Sequence, residues 1–534
     1  MNNVLIGMDI AKYYHTLRYL TPTQLYFQLY YKLRARVRKW VGYRPDYSQY
    51  RPGGRLLPAT SWIAKENSYK GNDEFEFLNV SHAFTGSWDH SIYSDLWRYN
   101  LNYMDFLMQP SMTFLEGVKW IDCFIDSIPT NRIASDPYPI SLRGINWIKF
   151  VSQHYDSFSA EQLQRIDTAL YSQYLILSHS TERHLMANHY LENGLSLLFA
   201  ALYFNDTAFL HASETILRSQ LDEQILSDGA HFERSPMYHC VILERLLDCY
   251  NIIKPTHHSA LSDFLLSKIR PMLGWLETAM LSDGTIPLLN DAALGVAPMP
   301  EALFMYARAL RIKWDSVCLG ESGYRKWVTD CYEVMADVAA LGPSYNLGHS
   351  HADTFSFVMH VGGKPFVVDT GTSTYAAGER RDYERSTEAH NTVCVSHRNS
   401  SQVWGAFRCA QRASVTVIED SVCCVRASHD GYSSLGVQCM REFNSMDDAF
   451  RIVDVLESKA SIDAVARFYL APDVQVEHVS HNRVETSMGV FDFIGANRIE
   501  ITSVEVSSSY NILHSTSCIC VVFDSRLETR ILPN

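Results

Sequence analysis

Apolar residues recur at helical spacing from about residue 20 to residue 320, and the pattern then changes to short β-branched runs separated by turn residues. The segment TPTQLYFQLYYKLRARVRKW, residues 21–40, opens on Thr21 and Pro22, a capping residue and a first-turn proline, and ends in basic residues that suit a helix C-terminus. It predicts a first helix. Residues 93–108, 160–179, 188–204, 236–253 and 260–281 repeat the amphipathic pattern between Gly, Pro and Asp punctuation. Serial helical hairpins without strands predict a toroid or solenoid, and the chain shows no fixed-period repeat.

Near residue 330 the runs VMADVAALG, TFSFVMHVGGKPFVVDTG, NTVCVSH, ASVTVIED, SVCCVRAS, FRIVDVLES, AVARFYL and RIEITSVEVS are short and rich in β-branched residues, and GGKP joins two of them as a hairpin would. They predict an antiparallel β-sandwich. The expected architecture is therefore multidomain α+β, with a helical (α/α) toroid over 1–325 and a β-sandwich over 326–534. At 534 residues the chain exceeds what one hydrophobic core supports, which also calls for two domains.

The composition, 47% hydrophobic and 20% charged, is that of a water-soluble enzyme, and no apolar run reaches the length of a membrane span. A formal charge of −13 excludes a nucleic-acid binder, which needs a basic footprint. It also means that any acidic substrate must be met by a local basic cleft. The first twenty residues lack a basic stretch, an apolar stretch and a cleavage site in sequence, so the expected location is cytoplasmic, with the periplasm or a non-classical secretion route left open. Twelve scattered cysteines, Cys423 and Cys424 adjacent, form neither a zinc ribbon nor a disulfide scaffold and read as reduced thiols. Nothing in the sequence fixes the oligomeric state.

Two constellations carry candidate chemistry. In GHSHAD, residues 348–353, His349 and His351 face one side if the segment is extended. With Asp369 at the end of an apolar run and His390 in RSTEAHNTV they supply two or three imidazoles and a carboxylate, a donor set suited to Zn²⁺. In helical territory, Asn188 and His189 open an apolar helix, and Tyr238 follows Ser235-Pro236, a helix start. Polar groups at helix N-termini are placed to face an anion.

GHSHADTFSFVMHVGGKPFVVDTGTSTY, RSTEAHNTV and WGAFR, with LWRYNLNY, DPYPISLRGINWIKF, ERHLMANHYLENGLSLLFAALYF and DGAHFERSPMYH upstream, resemble the heparinase II/III family of polysaccharide lyases over residues 90–415. The resemblance implies an (α/α) toroid, a C-terminal sandwich and cleavage of a uronic-acid-containing glycan by β-elimination, in degradation or exopolysaccharide metabolism. It implies Asn188 and His189 at the uronate carboxylate, Tyr238 and His349 as catalytic residues, Tyr375 and Arg385 as further active-site groups, and His351, Asp369 and His390 as ligands of a structural zinc. Neutralising the carboxylate stabilises the charge that develops when the C5 proton leaves. Tyr238 or His349 takes that proton, and Tyr238 can protonate the leaving oxygen. Two other readings stand beside this one: a glycoside hydrolase using Glu192 and Asp291 as paired carboxylates, and a non-catalytic glycan-binding protein of polysaccharide biosynthesis. Keeping Asn188, Tyr238 and His349 together speaks against the last, since binding alone does not need them.

Overall fold

The structure, a computed structural model, describes residues 10–459 and 462–534; residues 1–9, on which part of the leader reading rests, lie outside them. The helices are α1 Ile10–Leu17, α2 Pro22–Trp40, α3 Asp95–Tyr103, α4 Phe114–Ser127, α5 Pro137–Gln153, α6 Ala160–Ser178, α7 Ala187–Phe204, α8 Thr207–Gln224, α9 Pro236–Ile253, α10 Ser259–Ala279, α11 Pro300–Ala309 and α12 Glu379–Glu384. Their starts follow local chemistry. Thr21 and Gln24 form a capping box on α2, Ser159 and Gln162 do the same on α6, and the Ser235 hydroxyl accepts from the Tyr238 amide ahead of Pro236. Helices α1, α4, α5, α8, α11 and α12 go beyond the segments read from the pattern. The reason is plain for α5, where every residue from Pro139 to Ser152 is buried, so no polar face alternates with an apolar one.

A three-stranded antiparallel sheet, Tyr69–Gly71, Glu74–Phe77 and Val80–Ala83, corrects the expectation of a strand-free helical half. Phe75 and Phe77 point inward against Trp97 and Trp120. The turn between the last two strands, Leu78-Asn79, has both residues at positive φ (54° and 60°) without a glycine, so the usual hairpin signal is missing.

The C-terminal half is antiparallel sheet. Tyr324–Val328, Tyr332–Asp337, Phe357–Val361 and Lys364–Val367 pair in chain order, and the last two are joined by Gly362-Gly363, both at positive φ as a two-residue hairpin requires. A second four-stranded sheet takes Arg498–Val506, His514–Phe523, Ala464–Tyr469 and Val393–Val395 in that order. An eight-stranded sheet runs from Val415–Asp420 to Val476–Val479. Inward residues of all three, among them Phe357, Phe443, Phe450, Phe468 and Ile519, share one core.

The halves are stitched together around residues 290–294. The Leu294 amide donates to the Ser508 carbonyl (2.8 Å) and the Asp291 amide to the His349 carbonyl (3.1 Å), while the Ser235 hydroxyl, within the helical half, holds the Asp291 carbonyl (2.6 Å). The N-terminal helices also span both halves. Trp404 of the sheet half donates to Thr16 (3.2 Å), and Gln24 of α2 donates to the Leu185 carbonyl (3.3 Å).

Candidate active site

Three segments converge where the halves meet, and each enters through a backbone that L-residues resist. Met186 (φ 59°) and Ala187 (φ 49°) precede Asn188, Arg234 (φ 57°) precedes the Ser235-Pro236 start of α9, and Asn290 (φ 56°) precedes Asp291. Left-handed backbone at non-glycine residues costs on the order of 1–3 kcal/mol each and persists only where surrounding structure dictates it.

Asp291 is the hub. Its carboxylate accepts both terminal nitrogens of Arg381 (2.5 and 2.7 Å), the His349 Nδ1 side at 3.0 Å and the His351 Nε2 side at 2.8 Å. Asp291, Arg381 and His351 are fully buried. Burial alone would raise the Asp291 carboxyl, but Arg381 and the two imidazoles outweigh it and hold it well below the usual carboxylate range. The two histidines of GHSHAD thus face one spot, as the spacing suggests. The segment is nevertheless an irregular loop before Phe357–Val361, not a strand, and the spot is a carboxylate.

An ionised Asp291 accepts a hydrogen bond from His349 Nδ1, which leaves Nε2 with its lone pair. That nitrogen lies 3.5 Å from Asn188 Nδ2 and 3.9 Å from Glu233 Oε2. The Tyr238 ring stacks on the His349 ring, centroids 3.9 Å apart, and its hydroxyl is 3.4 Å from the Tyr375 hydroxyl. Burial first, then Tyr510, hold the Tyr238 phenol well above its ordinary range; the Tyr375 hydrogen bond opposes them, and the Asp291 and Glu233 carboxylates add smaller upward pushes. Asn188 donates to Glu233 through its side chain (2.8 Å) and its amide (3.2 Å), so the Glu233 carboxylate caps α7, where Met186 offers no side-chain cap. His189, its side chain 36% exposed, bonds Glu182 through Nδ1 (3.1 Å). Burial lowers its basicity, and the surrounding Glu182, Glu233 and Glu192 more than offset that, so the net shift is upward.

Arg385 is buried, and its guanidinium donates to the carbonyls of Ser350 (2.9 Å) and Gly405 (2.9 Å), bracing the GHSHAD loop. Arg381, one helical turn earlier, is the arginine that reaches Asp291. Sequence reading missed Arg381, Glu233 and the role of Asp291. Glu233 lies five residues before Tyr238 and was within reach of a motif reading; the other two have no local signal.

Glu192 and Asp291 do not form an accessible acid-base pair. Glu192 is 1% exposed against Arg245 (3.2 Å), and Asp291 is 0% exposed.

The expected zinc ligands sit beside this hub. His390 Nδ1 pairs with Asp369 Oδ2 at 2.7 Å, and the His351 and His390 rings are 5.2 Å apart. His351 Nδ1 and His390 Nε2 are buried and lack a hydrogen-bond partner. Among the described residues no three His, Cys, Asp or Glu side chains are already arranged to hold one metal ion.

Comparison with known proteins covers most of the chain. Residues 124–310 match the family described as Heparinase II/III N-terminus, and residues 311–530 match Heparinase II/III-like, C-terminal. The heparin-sulfate lyase of Bacteroides stercoris is 23% identical over 268 residues, 43% of this chain and 40% of that protein. That of Pedobacter heparinus is 21% identical over 257 residues, 42% of this chain and 39% of that protein. The matched stretches thus span about two fifths of these curated relatives. The crystal structure of heparinase III superposes with a TM-score of 0.65 at 14% identity, covering 84% of this chain and 79% of that one. A mutant heparan sulfate lyase from Pedobacter heparinus gives 0.61 at 16% identity, covering 93% and 86%. These likenesses are of fold.

Proposed function

Because the chain belongs to the heparinase II/III-like family, we propose that it is a polysaccharide lyase that cleaves a uronic-acid-containing glycan by β-elimination, its helical half an (α/α) toroid and its sheet half a β-sandwich. The observation that carries the reading is the Tyr238–His349 stack, with His349 anchored on Asp291. One imidazole nitrogen and one phenolic hydroxyl then face the same space, as removal of a proton and protonation of a leaving oxygen require.

In this mechanism His349 Nε2 takes the C5 proton. The electron pair forms the C4–C5 double bond as the C4–O bond breaks, and Tyr238 gives its proton to the departing oxygen. A phenol held in its protonated form is an acid at rest, which is why Tyr238 takes that half of the reaction. The Asn188 side chain and His189, with its raised basicity, meet the uronate carboxylate and steady the charge that spreads onto it. Asn188 keeps one side-chain N–H on Glu233 and has its second to offer the bound carboxylate. Asp291 and Arg381 keep His349 in the tautomer that can accept a proton. The buried state of Glu192 and Asp291 speaks against the hydrolase reading. The test is product analysis on a panel of defined acidic polysaccharides. The expected product is an unsaturated uronate absorbing in the near ultraviolet, and a new reducing end without that chromophore would refute elimination.

The donor chemistry also fits a structural zinc: two buried imidazole nitrogens without partners, on His351 and His390, beside the Asp369 carboxylate. Bound there, the metal would tie the Asp369 and His390 segments to the loop that carries His349. Protein purified without chelator is expected to hold about one zinc per chain by elemental analysis. Metal-free protein that is fully folded and active would remove the zinc from the proposal while leaving the lyase chemistry standing.

A further inference from the structure

Helix α2 has two unlike faces. Toward the protein, Gln24 donates to the Leu185 carbonyl, Tyr31 to the Thr181 carbonyl (2.6 Å) and Arg34 to the His179 carbonyl, while Phe27 lies under Arg183. On the opposite side Leu25, Leu29, Leu33, Val37 and Trp40 follow one another at helical spacing, and all are exposed, Leu29 by 71%, Leu33 by 62% and Trp40 by 86%. Such a continuous exposed stripe on a folded surface signals something that covers it.

The charge says what covers it. Between residues 10 and 45 there are eight Lys and Arg and no Asp or Glu, in a chain whose net charge is −13. Five of these cations, Lys32, Arg34, Arg36, Arg38 and Lys39, belong to α2, and none of the five pairs with a carboxylate among the described residues. By helical spacing Lys32 and Lys39 border the apolar stripe and Arg36 falls within it, while Arg34 is turned toward the protein. A second copy of the chain docking by the same face would set cations against cations. A polyanionic glycan would satisfy the cations but has nothing for a row of leucines. A bilayer with anionic headgroups satisfies both, with Trp40 and Tyr26 at the depth where amphipathic aromatic rings settle. Five cations keep the helix from crossing, and no helix among the described residues is long and apolar enough to span a membrane.

We propose that the outward face of α2 lies on an anionic lipid surface, with Leu29, Leu33 and Trp40 entering the acyl boundary and the flanking cations on the headgroups. The inner face of α2 rests on the segment leading into α7: Thr21 touches Met186 (3.4 Å), two residues before Asn188.

The experiment is co-sedimentation of the 534-residue chain with phosphatidylcholine vesicles, with and without about 30% phosphatidylglycerol, a content that gives the surface its negative potential. The parent is expected to sediment with the anionic vesicles, to be released by salt, and to bind the neutral vesicles at least about tenfold more weakly. The L29E/L33E protein keeps a good helix former at both exposed positions. It is expected to melt and turn over like the parent while losing at least about tenfold in vesicle binding. A parent that stays in the supernatant overturns the proposal, as does binding that L29E/L33E leaves intact. A dimer abolished by L29E/L33E, without vesicle binding, assigns the face to a second copy, and retention on immobilised acidic polysaccharide alone assigns it to glycan.

Discussion

Tyr238→Phe is expected to fold as the parent does and to lose turnover by a factor of about 10²–10⁴, the usual worth of a positioned acid or base. The ring is kept, so its stack on His349 at 3.9 Å is kept as well. Among the described residues the lost hydroxyl has one hydrogen-bond partner, the Tyr375 hydroxyl at 3.4 Å, a long bond whose removal costs little stability. The loss should appear in kcat with KM near the parental value; weakened binding with kcat retained would mark Tyr238 as a contact residue only. A substrate whose leaving group needs no protonation, such as a uronide bearing an aryloxy group at C4, separates acid from base. It should restore most of the rate to Tyr238→Phe if the tyrosine is the acid, and leave the defect in place if the tyrosine is the base. Parental turnover by the folded variant on a polymer the parent cleaves would leave His349 as the sole proton carrier.

Asp291→Asn is expected to be the most damaging conservative change, costing about 3–5 kcal/mol of stability because it strands the buried Arg381 guanidinium without its counter-charge. Arg381 is fully buried, and its remaining side-chain acceptor is the Ala406 carbonyl at 3.1 Å. The substituted amide also turns an acceptor into a donor where His349, His351 and Arg381 all present N–H groups, so His349 loses the anchor that sets its tautomer. Urea unfolding measures the first effect, and turnover of the fraction that remains folded measures the second. The double variant Asp291→Leu, Arg381→Met separates them: removing both charges should recover a large part of the stability and none of the activity. Recovered activity would show that Asp291 does not position His349.

Much of the architecture is local in origin and so readable from sequence. Helices α2, α6 and α9 begin where Thr21, Ser159 and Ser235 cap them, and the paired strands around Gly362-Gly363 follow from short β-branched and aromatic runs and a turn that only such residues enter freely. Ser235-Pro236 sets Tyr238 on the first turn of α9, and the GHSHAD spacing brings two imidazoles to one place. The short sheet at 69–83 escaped because its turn relies on Leu78 and Asn79 in a conformation that tertiary packing imposes.

The centre of the site was decided elsewhere. Asp291 lies in PLLNDAALG, a loop without periodicity, and becomes the hub only because residues 235, 349, 351 and 381 arrive from separate elements to bond it. Arg381 lies in the short helix α12 and Arg385 follows one turn later as its C-cap residue, yet one meets a carboxylate and the other meets carbonyls. What the sequence by itself determines is where helices and strands start and which face of each seeks the core, since capping and alternation act over a few residues. Which buried charge meets which partner, and which stripe of leucines is left facing outward on α2, is set by contacts between residues far apart in the chain, and only the tertiary structure brings those together.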